Sequence, residues 1–165
     1  MSDEHVGDEA GPTGALGRTP LLAIAWGWQH TVMSSIQRIR PEGLVSSPAF
    51  SHVAIVPPNA TTIYVGGQNS VDSDGSLVGE GDVGVQSARA LANAKTALAA
   101  AGATLRDVVQ WTVLFVDGAD LAAGYGAIAA DLAADEPPLV TAAFVSRLGV
   151  PGALVEISAV AAVER

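Results

Sequence analysis

A single carboxylate, Glu156, stands in the middle of an apolar run, ALVEISAVAAV, over residues 153–163. An acid among valines, isoleucine and alanines must find a partner, point into a cavity or become neutral, because burying an unpaired charge is costly. Two roles fit it. A partly desolvated carboxylate has its pKa raised toward neutrality and can act as general acid or base, or it can serve as an acceptor at a subunit boundary. His5, His30 and His52 are scattered and form no metal-ligand spacing. His52 sits on a predicted strand among apolar residues and reads as a structural histidine. No serine sits in a G-x-S-x-G elbow, so triad hydrolysis is unsupported. The G-x-G-x-x-G spacing at 79–84 is not a dinucleotide site. No buried strand precedes it, and Glu80 and Asp82 would repel a pyrophosphate. Asp82 is expected to cap a helix instead.

Composition narrows the classes further. The 165 residues, 49% hydrophobic, suit one domain with a full core. Eight Lys and Arg against 17 Asp and Glu leave a net charge of −9, so nucleic acid is not expected as a partner. Without cysteine there is no disulfide framework, thiolate nucleophile or Cys-based zinc site, which fits a cytoplasmic protein. The apolar patch at 21–28, LLAIAWGW, is shorter than the about 20 residues a membrane span needs, and its flank is acidic, so it reads as neither signal nor anchor.

Several elements must position these groups. Residues 1–35 show no sustained period and are expected to form a flexible extension, on which Trp26 and Trp28 offer docking points; the domain is expected over 36–165. Strands at 51–56 and 61–65 read as a hairpin across Pro57-Pro58-Asn59-Ala60, with Gly66-Gly67-Gln68-Asn69 ending the second and a further turn at 73–76. A helix is predicted over 83–101, with a stop at Gly102. A central strand follows at 108–116, then a second helix from about 117 carrying Leu121, Tyr125, Ile128 and Leu132 on one stripe, ended by Asp135-Glu136-Pro137-Pro138. Two closing strands are read as facing each other across the turn at 149–152.

This order predicts an α+β fold in which a mixed β-sheet carries two helices packed on one face. The odd residues of the last strand, Ala153 to Val163, should meet the helices. Its even residues, including Glu156, are left half apolar without a cover, which predicts burial against identical subunits.

The residues Ile63-Tyr64-Val65-Gly66-Gly67-Gln68, Gly81-Asp82-Val83 with Gln86 and Asn93, Ala101-Gly102-Ala103 before Leu105-Arg106-Asp107-Val108-Val109, and Ala153-Leu154-Val155-Glu156-Ile157 together resemble the Rid family. This family is also called YjgF, and its best-known branch comprises the reactive-intermediate imine deaminases. The resemblance covers residues 36–163 and implies a chorismate-mutase-like fold, a homotrimer and a small-molecule cleft at each subunit interface. It implies imine or enamine hydrolysis to a keto acid and ammonia, with no metal and no cofactor. An arginine from a Pro-Ala-Arg-Ser/Thr motif would bind the substrate carboxylate, and Glu156 would position the attacking water.

Here the chain departs from the family pattern. The arginine position falls on Val140 when aligned from Leu148 and on Thr141 when aligned from Glu156, and neither side chain can grip a carboxylate as a guanidinium does. Phe50 replaces a common tyrosine, Gly66 a serine and Tyr125 an asparagine. Arg147 is the nearest arginine. The reading is a trimeric small-metabolite binder using Glu156, Gln68 and the Gly66-Gly67 backbone, without ordinary 2-aminoacrylate deaminase activity. The alternatives are a deaminase with a remodelled pocket, in which Arg147 or another subunit supplies the carboxylate grip, and a structural or regulatory interaction protein with a vestigial pocket. The ribonuclease label carried by some relatives fits the acidic balance poorly.

Overall fold

The computed structural model describes residues 35–164. The expected extension lies outside them but for its last residue, and so do Trp26 and Trp28.

The strands form two distinct sheets. A small one pairs β1 (Gln37–Ile39) with β2 (Val53–Ile55), antiparallel. The main sheet holds β3 (Thr61–Gln68), β4 (Val108–Val116), β5 (Leu139–Val145) and β6 (Val155–Val163) in the order β3-β6-β4-β5. β6 is antiparallel to both its neighbours, whereas β5 runs parallel to β4, so the sheet is mixed as the sequence predicts.

Two expected strand pairings are corrected. β2 pairs with β1 and not with β3, so Pro57 to Ala60 joins two sheets instead of closing a hairpin. The closing strands do not face each other either: β4, apolar on both faces, inserts between β5 and β6. An apolar strand gains most from a central place with both edges paired. The strand beside Glu156 is therefore β4, with Leu114 opposite, and Val140 and Thr141 lie one strand further away.

The first long helix, α1 (Val83–Ala100), agrees with expectation. Asp82 accepts from Val85 N at 3.0 Å as its N-cap, and Gly102, with φ +76°, ends it in the left-handed conformation a Cβ would disfavour. Leu91, Ala94 and Leu98 are buried in one core with Val155, Ile157, Ala159 and Ala161, the odd residues of β6. Small residues on this stripe let the helix lie close to the sheet.

The second helix is broken, contrary to expectation, into α2 (Leu121–Gly126) and α3 (Ala129–Leu132). Asp120 caps α2 through Ala122 N and Ala123 N. Gly124 and Gly126 weaken helix continuation, and the break drops Ile128 into the core while Leu121 and Tyr125 stay partly in solvent. α2 packs on α1, and Ile128 joins the same core, so both helical segments cover one face of the sheet.

On the opposite face Leu154, Glu156, Ser158 and Val160 remain only half-buried, and Tyr64, paired with Val160, is 80% exposed. Among the described residues no helix is long and apolar enough to cross a membrane.

Candidate functional site

Glu156 is positioned by a fault in the sheet. Val65 pairs with Ala159 and Gln68 with Ile157, so three steps on β3 match two on β6. The extra residue makes a β-bulge at Gly66-Gly67, so the strand runs on to Gln68 where the sequence predicts its end. Gly67 lacks the Cβ that would run into the carboxylate of Glu156, and Gly66 has open space where its side chain would be. The bulge thus exposes a short stretch of backbone beside an acid. Gln68 folds back, donating from Nε2 to Gly66 O at 3.0 Å.

Among the described residues Glu156 takes part in no hydrogen bond or ion pair; the one salt bridge there joins Lys95 to Asp131. An acid half-buried without a partner is free to accept from a ligand or a water. Behind the bulge the scaffold is firmly tied. Asn69 donates to Val155 O at 3.0 Å, and Asn93 on α1 donates to Asn69 O and Val71 O. Gln86, fully buried, donates to Gly79 O and Gly152 O and accepts from Leu154 N at 2.7 Å. The glycines at 79 and 81 therefore serve a helix entry, with φ near +75°.

Sheet parity separates the remaining candidates. Thr141 is in register with Thr112, which pairs with Ser158, so Thr141 shares the face of Glu156. Val140 is in register with Trp111, which pairs with Ala159, and so lies on the helix side. There Val140 and Tyr125 meet in a cavity of about 50 Å³. Phe50 stands near it: Ala49 lines the cavity, and Ser51 N donates to Pro138 O at 3.0 Å, pinning this loop to the start of β5. The Phe50 ring meets His52 edge-on at 5.4 Å, and His52 Nε2 donates to Val45 O at 2.8 Å, which gives that histidine a structural partner.

The candidates thus fall into two groups. Gly67, Glu156 and Thr141 share the outer face, with Gly66 in the same bulge; Gln68, paired with Ile157, turns the other way by register, Tyr125 and Val140 line the helix-side cavity, and Phe50 follows Ala49 at its rim. A single chain does not bring the groups together. Arg147 belongs to neither. It lines a hollow of about 620 Å³ beside the turn at 149–152, with Val116 and Leu154, and Leu154 is one row along from Glu156 on the outer face. It has no hydrogen-bond or ion-pair partner among the described residues.

Sequence reasoning missed Trp111 and Ala142, which line the cavity, and Leu114, which stands opposite Glu156. Period-two alternation in β4 carries the faces of Trp111 and Leu114, but not the identity of the neighbouring strand. No group of three or more metal-ligating side chains gathers among the described residues.

Comparison with known proteins places these features in a lineage. The family model described as endoribonuclease L-PSP matches residues 43–163. A RutC family protein of Sulfurisphaera tokodaii is 32% identical over 99 residues, covering 60% of this chain and 78% of that protein. Among solved structures, YyfB of Yersinia pestis, described as a Rid-family protein of unknown function, superposes with a TM-score of 0.68 at 31% identity, covering 79% of this chain and all of that one. RidA of an Antarctic Psychrobacter gives a TM-score of 0.56 at 26% identity, over 74% of this chain and all of its own.

Proposed function

The chain belongs to the endoribonuclease L-PSP family, the Rid or YjgF proteins, and from that membership we propose that it is a cytoplasmic homotrimer binding a small metabolite in a cleft between subunits, without standard 2-aminoacrylate deaminase activity. The observation that carries this reading is the unpartnered Glu156 carboxylate beside the Gly66-Gly67 bulge, combined with Val140 and Thr141 where a guanidinium would be needed. The acceptor half of an imine-hydrolysing site remains. The half that would hold a carboxylate is apolar or hydroxylic.

Two facts support a shared cleft. The candidate side chains divide between opposite faces of one sheet, so only a second copy can bring a helix-side group against a Glu156 group. The outer face is half apolar, with Leu114, Val160 and Tyr64 in or near solvent, and such faces are covered in stable soluble proteins.

A second reading is favoured by Arg147. Its hollow adjoins the row next to Glu156, so a ligand carboxylate held there would set an imine carbon near the acid. Glu156 would take a proton from water as the water oxygen bonds to that carbon. That proton would pass to nitrogen to give a carbinolamine; Glu156 would then take the hydroxyl proton and pass it to the amine as the C=O bond forms and the C–N bond breaks, and a keto acid and ammonia would leave.

Release of ammonia and keto acid from enzymatically generated 2-aminoacrylate separates the two. The leading reading expects a rate no higher than the uncatalysed one; turnover abolished by Glu156→Gln overturns it in favour of the second.

A further inference from the structure

The helix-side cavity has an unusual lining for a place where a polar substrate group would be bound. Its deep wall is Trp111, Val113, Phe115 and Ile128, each 6% exposed or less. Val140 and Ala142 of the edge strand and Leu121 and Tyr125 of α2 form the outer wall, and no ionisable carboxylate, ammonium or guanidinium is among the lining side chains. The polar side-chain groups present are the Tyr125 hydroxyl and the Trp111 indole N–H. The cavity lies between α2, which ends at Gly126, and β5, with Ile128 and Leu132 from beyond the helix break also lining it.

A charge entering such a place loses hydration without a counter-charge to replace it. An aliphatic group gains roughly fourfold in affinity for each buried methylene. The cavity, about 50 Å³ and lined almost wholly by apolar side chains, has room for a small hydrocarbon group and few partners for a water. The mouth is reachable, since Leu121, Tyr125 and Val140 are each about 40% exposed around it.

We propose that this cavity is the subsite for an uncharged methyl- to ethyl-sized aliphatic group of the ligand, replacing a carboxylate-binding subsite. The inference rests on the reading of the chain as a small-metabolite binder and names the chemical class of what it binds. Val140 and Ala142 set the specificity, being the two side chains that β5 presents to the cavity.

Calorimetric or NMR titration of the full chain with two matched pairs tests it: acetamide against acetate, and propanamide against propanoate. The amide binds at least tenfold more tightly than the acid of the same skeleton. Ala142→Leu, which fills the mouth, removes amide binding at least tenfold with melting unchanged to within a few degrees. Val140→Arg reverses the order so that the acid binds better. Equal or tighter binding of the acids by the unmodified chain overturns the proposal, as does failure of all four probes or a side chain of a second copy seated in the cavity in a crystal of the assembly. Those outcomes leave the 2-aminoacrylate assay untouched, and Glu156-dependent turnover there would defeat the functional reading while leaving the amide preference in place.

Discussion

The carboxylate of Glu156 rests against the backbone of Gly67, in the space that a Cβ on residue 67 would claim. The pair is made by the bulge in β3, which brings two glycines alongside the acid. Glycine is needed there for close approach, not for a left-handed backbone, since Gly67 is not among the positive-φ residues.

Gly67→Ala therefore displaces the acid while leaving the fold intact. The clash is with the far end of a flexible side chain, so stability changes by about 1 kcal/mol or less. A ligand that depends on Glu156 loses at least tenfold in affinity, as Glu156→Gln does. Binding isotherms of the two variants, beside their melting curves, check this. Unchanged affinity in Gly67→Ala would separate the bulge from the site.

Gln86 holds the entrance to β6 through three hydrogen bonds, to Gly79 O, Gly152 O and Leu154 N. Gln86→Leu keeps the bulk and strands these backbone groups, each costing about 1–3 kcal/mol when left unpaired and buried. Chemical denaturation is expected to show a loss of about 3 kcal/mol. A loss within experimental error would mean that water replaces the amide.

Val160 lies on the outer face between Tyr64 and Gln110. Placing a charge there with Val160→Asp is tolerated by a half-exposed strand position in a lone chain, but not by an interface. Light scattering should find the unmodified chain as a trimer and the variant as a monomer with unchanged circular dichroism. A trimer in both moves the interface to another surface.

Much of this arrangement is legible in local sequence. α1 and its caps follow from Asp82, the small apolar stripe and Gly102, and the inward face of β6 follows from its alternation. Strand partners are not legible in the same way. The runs 51–56 and 61–65 look like a hairpin because a Pro-Pro-Asn turn joins them, yet pairing depends on distant residues: β3 takes β6, nearly a hundred residues later. The helix after β4 shows a continuous stripe from Leu121 to Leu132, but its glycines and the pull of Ile128 into the core break it. The bulge at Gly66-Gly67 reads as a turn because glycine pairs serve both purposes. For the site, Glu156 stands out as an acid in an apolar strand. The division of its companions between two faces becomes visible only through register, where Thr141 and Val140 part company.

β6 joins β3 on one side and β4 on the other, although it follows both in the chain. During synthesis, then, β3 emerges with no partner in the main sheet and β4 can pair only with β5 until β6 follows, and α1 has only part of the surface it will cover. Non-local pairing of this kind places closure of the sheet late and leaves apolar strand edges open until Val163 has left the ribosome. The strand that carries the acid is thus also the one that closes the sheet.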